Sequence, residues 1–264
     1  MESLIEKMID NIESSKFMET IRLESIDNNS SILETTLNPP IKLDPSKHYK
    51  AGLRYFTMYN FLTNINNTNN VFRYSHDNGT TWNNINLLTG AYEFSQIVAE
   101  LNRQMKLANH WDLVNDKNYI EIVAKGEINK IVINITSANY QLDRNVNNTI
   151  TEFFGFNKNA TVLSQGYNIA ENNAQISNVS TIDLECNLIT GGIVGGNQKQ
   201  IIYDMPSFSV PIGYKIIEQP AKINYFPLNT TTLKNIRIRI IDENGNLLNI
   251  PGEKKIASLK ILQV

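Results

Sequence analysis

Few side chains in this sequence are of a kind that could do chemistry, and their spacing decides what that chemistry could be. His48, His76 and His110 are the only histidines. None has a second His at i+4 or a Cys partner, so the short-range ligand spacing of a metal site is missing, and each is expected as a surface or loop residue unless folding brings them together. Cys186 is the single cysteine, which rules out an intrachain disulfide and any Cys-based zinc site. It lies in the alternating run Ile182-Asp183-Leu184-Glu185-Cys186-Asn187-Leu188, which points it to the core with Ile182, Leu184 and Leu188. The acid pair Asp242-Glu243 adjoins Asn244-Gly245, a hairpin tip where carboxylates are solvated and no shifted pKa is expected. A nucleophile elbow, Gly-x-Ser-x-Gly, is absent from the sequence. The glycines of Gly191-Gly192-Ile193-Val194-Gly195-Gly196 lack the Gly-Lys-Ser/Thr ending of a phosphate loop and read as a mobile surface loop between strands.

These observations leave no catalytic, cofactor-binding or metal-binding residue to assign. Basic side chains that could meet nucleic acid are Arg237, Arg239, Lys254, Lys255 and Lys260, all near the C-terminus. They read as solvated strand faces. Net charge is −2, from 24 Lys+Arg against 26 Asp+Glu, which argues against a protein whose task is neutralising phosphates, and direct nucleic-acid binding is not expected.

Charged residues are 19% of the chain, below the usual share of about 25%. Asn carries the polarity instead: 38 of 264 residues. Its short amide bonds nearby backbone and tolerates the left-handed conformation, so it belongs in turns. The sequons this produces, at Asn28, Asn66, Asn78, Asn134, Asn159, Asn178 and Asn229 among others, are expected by chance. Hydrophobic residues at 41% supply a core. No window approaches the roughly 18 consecutive apolar residues of a membrane span, and the N-terminus has acids where a signal peptide needs basic residues.

The elements that must position these residues are mostly strands. Short apolar stretches punctuated by Asn, Gly and Pro predict strands near 20–26, 31–37, 49–60, 70–76, 80–87, 111–115, 119–124, 130–136, 140–144, 176–190, 199–204, 214–218, 222–226, 234–242 and 255–263. Such a series indicates an all-β sandwich or barrel. Ile236-Arg237-Ile238-Arg239-Ile240 alternates strictly, placing three isoleucines inside and two arginines outside. Helical spacing appears in three places: Leu4, Ile5, Met8, Ile9 and Ile12 predict a short amphipathic helix over 3–13; Ile97, Val98, Leu101 and Met105 predict one from Tyr92 to Met105; and Asn148 or Thr149 can cap a short helix through Ile150, Phe153 and Phe154 that Gly155 ends.

Two resemblances add to this. Ser75-His76-Asp77-Asn78-Gly79-Thr80-Thr81-Trp82 resembles the Asp-box of sialidases and related propellers. In that motif Ser and Asp bond the turn backbone and the aromatic plugs the hairpin base, so it implies a hairpin and no catalysis. It occurs once, where a propeller would repeat it in several blades.

The second lies in segment order: Asn38-Pro39-Pro40-Ile41-Lys42-Leu43-Asp44, Tyr49-Lys50-Ala51-Gly52-Leu53 and Asn64-Ile65; then Asn70-Val71-Phe72-Arg73-Tyr74-Ser75, Thr89-Gly90-Ala91-Tyr92-Glu93 and Phe154-Gly155-Phe156. Pro211-Ile212-Gly213-Tyr214-Lys215-Ile216-Ile217-Glu218-Gln219-Pro220, Tyr225-Phe226-Pro227-Leu228-Asn229, Ile236 to Ile240, Asp242-Glu243-Asn244-Gly245 and Pro251-Gly252-Glu253 complete it.

This series resembles the minor capsid, or penton, proteins of Polinton/Maverick elements and adintoviruses, over roughly residues 20–264. The resemblance implies a jelly roll with an inserted lobe containing short helices. It also implies homopentamers at icosahedral vertices beside a separate major capsid protein, in a virion assembled inside the host cell, with no cofactor and no enzymatic activity. The expected organisation is an N-terminal amphipathic arm, 1–17, and a jelly-roll capsid-type domain, 18–264, with the insertion at about 70–175. Two other readings stay open: a glycan- or receptor-binding β-sandwich, and a glycoside hydrolase, which only the Asp-box supports.

Overall fold

The computed structural model describes residues 17–159, 161–176, 179–207 and 210–264. The helix expected over 3–13 lies outside the described residues. The chain divides into two compact units, Met1–Leu62 with Val179–Val264 (unit 1) and Thr63–Asn178 (unit 2).

The first strands are β1 (Met18–Ser25), β2 (Ile32–Lys42) and β3 (Tyr49–Tyr59). Unit 2 then contributes β4 (Val71–Ser75), β5 (Trp82–Asn86), helix α1 (Phe94–Leu107), β6 (Ile120–Lys125), β7 (Lys130–Ile135), β8 (Gln141–Asp143) and β9 (Gly166–Ile169). Returning to unit 1, the chain forms β10 (Thr181–Cys186), β11 (Gly192–Val194), β12 (Asn197–Lys199), β13 (Ile201–Pro206), β14 (Lys215–Glu218), β15 (Phe226–Pro227), β16 (Thr232–Ile241) and β17 (Ile256–Gln263).

In unit 1 one hydrogen-bonded path runs β13-β10-β16-β2-β1-β17-β3-β14, with β15 beside β3. All of these pairings are antiparallel. At its middle β1 and β2 share only the pairs Glu24↔Glu34 and Ser25↔Leu33, so the path folds there into two layers of four. Lettered B to I in chain order, the layers read B-I-D-G (β1-β17-β3-β14) and C-H-E-F (β2-β16-β10-β13). This is the jelly-roll order of two Greek keys. Alternate side chains from both layers fill the interior, among them Leu23, Leu33, Phe56, Leu184, Ile238 and Leu259. The outer strands of the two layers meet where the Tyr203 hydroxyl on β13 donates to Glu218 Oε2 on β14 at 3.0 Å.

Two irregularities reveal how the sequence keeps its faces. Ser258 pairs with Tyr55 and Leu259 with Leu53, so Arg54 is an extra residue on β3. That bulge explains why the inward positions change parity, from Ala51 and Leu53 to Phe56 and Met58. On β2 the pairing with β16 jumps from Ile41 to Thr36, leaving Pro39 and Pro40 in the bulge, where a missing N–H breaks no ladder bond.

Unit 2 holds two three-stranded sheets, β5-β4-β8 and β6-β7-β9, and α1. Its apolar cluster includes Phe72, Leu101, Ile133, Phe154 and Phe156. Helix α1 starts at a capping box in which the Glu93 N–H donates to Gln96 Oε1 at 2.9 Å, and it buries Ile97, Leu101 and Met105. No helix among the described residues is long and apolar enough to cross a membrane.

Several expected elements differ. Residues 111–115 are not a strand: Asp112 and Lys117 close a turn by exchanging backbone hydrogen bonds, and Asp112 Oδ1 accepts from the Val114 and Asn115 amides. A side chain that satisfies its own loop competes with a ladder. The segment after Thr149 makes one turn only, closed by Phe154 N–H to Ile150 and Phe156 N–H to Thr151. Asn148 cannot cap it from a left-handed φ of 60°, and Gly155, at 88°, stops it. The strand expected over 176–190 contracts to β10, and that over 222–226 to the two residues of β15. The glycine stretch is a hairpin, β11 to β12, because Gly195 and Gly196 both take positive φ (59° and 80°) as a type I′ turn requires.

Candidate functional site

Two of the three histidines converge in unit 2, at the turn between β4 and β5. Asn78 and Gly79 supply the left-handed backbone there (φ 58° and 85°). Ser75 Oγ accepts the Gly79 N–H at 2.9 Å and donates to Asp77 Oδ1 at 2.8 Å, while the Thr81 N–H reaches the same oxygen at 2.7 Å. Hydrogen bonds from Thr81 dominate, and with Ser75 and the nearby His76 they hold the Asp77 carboxyl at about 2 against an opposing burial effect. Ser75 and Asp77 therefore serve the turn. Trp82 is half-buried beneath the Arg73 guanidinium, 5.3 Å from its ring centre.

Helix α1 delivers the other half of the site. The Asn109 N–H bonds Lys106 O and the His110 N–H bonds Met105 O, a Schellman closure with Asn109 in the left-handed position (φ 60°). This aims the His110 ring at the hairpin, where it stacks on His76 with ring centres 3.7 Å apart and planes 21° from parallel. His110 Nδ1 lies 2.8 Å from the hydroxyl of Tyr74, a buried β4 residue whose pKa burial pushes up to about 12. His76 Nδ1 lies 3.2 Å from Asn83 Nδ2 on β5. Burial, then His76, holds His110 below the ordinary imidazole value, with Asp77 opposing. Among the described residues no three His, Cys, Asp or Glu side chains are grouped to hold a metal ion.

His48 stands elsewhere, in unit 1, on an open groove of about 610 Å³ with Lys47, Tyr49, Lys50 and the 227–231 segment. Cys186 is fully buried, and burial pushes its thiol up to about 11. Asp242 and Glu243 are turn residues, but their pKa values do shift. Burial raises Asp242, and hydrogen bonds from Asn246, Asn244 and Gly245 outweigh it; the Glu243 carboxyl is lowered first by its own backbone amide and then, against burial, by the amides of Ser180 and Thr181.

The C-terminal basic residues do not form a stripe. Arg239 pairs with Glu185 at 2.6 Å and Lys254 with Glu24 at 3.4 Å, while Lys255 is buried with its ammonium donating to Asn28 O at 2.6 Å. Period-two reading also missed Asp183. It faces away from Ile182 and Leu184, yet it is buried opposite Asp204 on β13, and burial raises its pKa.

No protein-family model matches the chain, and a sequence search of curated proteins finds no match. Among solved structures, the crystal structure of selenomethionine-labelled mavirus penton protein is similar, with a TM-score of 0.49 and 11% identity over 94% of this chain and 99% of that one.

Proposed function

We propose that this chain is a structural capsid protein, the penton of a Polinton/Maverick- or adintovirus-type shell, forming homopentamers at icosahedral vertices beside a major capsid protein. The observation that carries this reading is the strand order of unit 1. Jelly rolls serve capsid shells, lectins and cupins, and the collinear series from Asn38-Pro39-Pro40 to Pro251-Gly252-Glu253 favours the first of these. The fold alone is an argument by analogy; the segment series adds the family.

In this reading residues 1–17 are an assembly arm, and the insertion at about 70–175 is carried by the jelly-roll domain. The protein acts by contact, in a virion assembled in the host interior, without catalysis; the Asp-box residues are engaged in their turn. A five-membered ring is a closed heterologous assembly in which one face of each protomer meets a different face of the next. Electron microscopy of the purified full-length protein tests it: five-fold particles, alone or with the major capsid protein, are expected. A strictly monomeric species at high concentration that also fails to join the shell refutes it.

A second reading, a glycan- or receptor-binding module, is favoured by the exposure of Tyr167 and Tyr214, at 70% and 65%. Ligands on a glycan array together with a monomer in solution would select it.

A further inference from the structure

We propose that His76 and His110 form an acid-opened latch that fastens the loop after α1 to the β4–β5 hairpin. The two rings come from different elements and meet face to face at 3.7 Å. One ring nitrogen of each histidine is engaged in the site, and the contact at His76 selects the neutral ring. Asn83 presents its NH₂ to His76 Nδ1, which must then be an unprotonated acceptor, and the Tyr74 hydroxyl, 2.8 Å from His110 Nδ1, can donate to the neutral ring. Tyr74 keeps its proton throughout the physiological range because burial holds its pKa near 12.

The charged groups around the pair balance one proton but not two. From the hairpin turn Asp77 faces it, with its carboxylate already accepting from Ser75 and Thr81. From β4 the facing titratable group is Tyr74, while Arg73 is turned to Asp143 and the Trp82 ring. From the end of α1, Lys106 is paired with Asp116 at 2.7 Å and lies over Trp111. A second protonation therefore sets like charges on stacked rings and removes the acceptor that the Asn83 NH₂ meets at His76 Nδ1, while the Tyr74 hydroxyl can turn to accept from a protonated His110 Nδ1.

The linkage sign agrees. The latched His110 binds a proton less readily than a free imidazole of pKa 6.5, so the open form gains protons first. Latching is complete above about pH 6.5 and weakens as pH falls below it. Opening frees the segment that carries Leu113 and Val114, which stand 78% and 93% exposed at the tip of the Asp112–Lys117 turn.

Amide hydrogen exchange on the full chain at pH 7.5 and 5.5, corrected for intrinsic rates, tests the latch. Exchange over 108–117 should rise several-fold at the lower pH. In His76→Phe, which keeps a stacked ring but cannot be charged, that rise should shrink clearly, leaving only the part that burial of His110 supplies. No rise in the native chain, or the same rise in the variant, overturns the proposal. Should the variant not fold, a proton NMR titration of the native chain decides: His110 should titrate below the free imidazole value, and titration at or above that value would refute it. None of these readouts requires assembly, so failure of the latch and failure of the capsid reading are distinguishable.

Discussion

The bulge at Arg54 makes an unusual demand on β3, and two single-residue deletions put it to the test. Ala51 and Leu53 point inward before the bulge, Phe56 and Met58 after it, and all four are buried. Deleting Arg54 leaves these four on alternate positions, since Tyr55 then follows Leu53 directly. The lost side chain is exposed, so the cost is the local twist and should stay near about 1 kcal/mol. Deleting Thr57 places Met58 next to Phe56, and one of them must turn to solvent. Phe56 and Met58 are both 0% exposed, so the loss should be roughly 2–5 kcal/mol, together with the pairs Ile216↔Met58 and Lys215↔Tyr59. Urea denaturation followed by far-UV circular dichroism measures both; the two tryptophans, Trp82 and Trp111, are in unit 2 and would miss the event. With a slope of about 1–3 kcal/mol per molar, the Thr57 deletion should lower the midpoint by about 1 M or more, and the Arg54 deletion by far less. Equal losses, or a larger loss for Arg54, would refute the bulge as the device that keeps the faces.

Other outcomes follow from single sites. Gly191→Ala should open the β11–β12 hairpin and cost roughly 1–3 kcal/mol, because Gly191 sits at φ 78° and a Cβ there collides with the Lys199 carbonyl; a thermal melt unchanged from the native protein contradicts this. Cys186, buried with its thiol pushed up to about 11, should resist a thiol reagent at pH 8 in the folded protein and react at once in urea. Asp77, held at about 2, should keep the β4–β5 turn intact as pH falls through the ordinary carboxylate range. A group with a depressed pKa contributes above its unfolded value and is lost only as pH drops through the folded one. Asp77→Asn should loosen that turn at pH 6 and remove its acid dependence, as read by the amide shifts of Gly79 and Thr81.

The strands were legible where burial is one-sided. Ile236, Ile238 and Ile240 are buried while Arg237 is exposed and Arg239 half-buried, as alternation requires. Cys186 went to the core for the same reason. The elements misread were those governed by local polar bonds. Asp112 closes a turn in an apolar-looking stretch, and Gly195-Gly196 shapes a hairpin that composition alone presents as a loose loop. The layer order could not be read from periodicity, because it depends on which strands pair across long separations, such as β2 with β16. The histidine pair was equally hidden. His76 and His110 are 34 positions apart, and their contact rests on a Schellman closure and an Asp-box turn that aim two short segments at one point.

Those two turns give the abundance of Asn a structural role. Of the five non-glycine residues with positive φ among the described residues, four are Asn: Asn78, Asn109, Asn129 and Asn148. Asn reaches the left-handed region at less cost than other L-residues and adds side-chain bonds to nearby backbone. Asn78 helps form the turn that carries His76, and Asn109 ends the helix that aims His110. The polarity that would otherwise be surface charge is thus placed in chain reversals, and the strands between them keep a nearly uncharged apolar interior. Both Asn-built turns meet at the stacked histidines, so the proposed acid response is set by these two chain reversals.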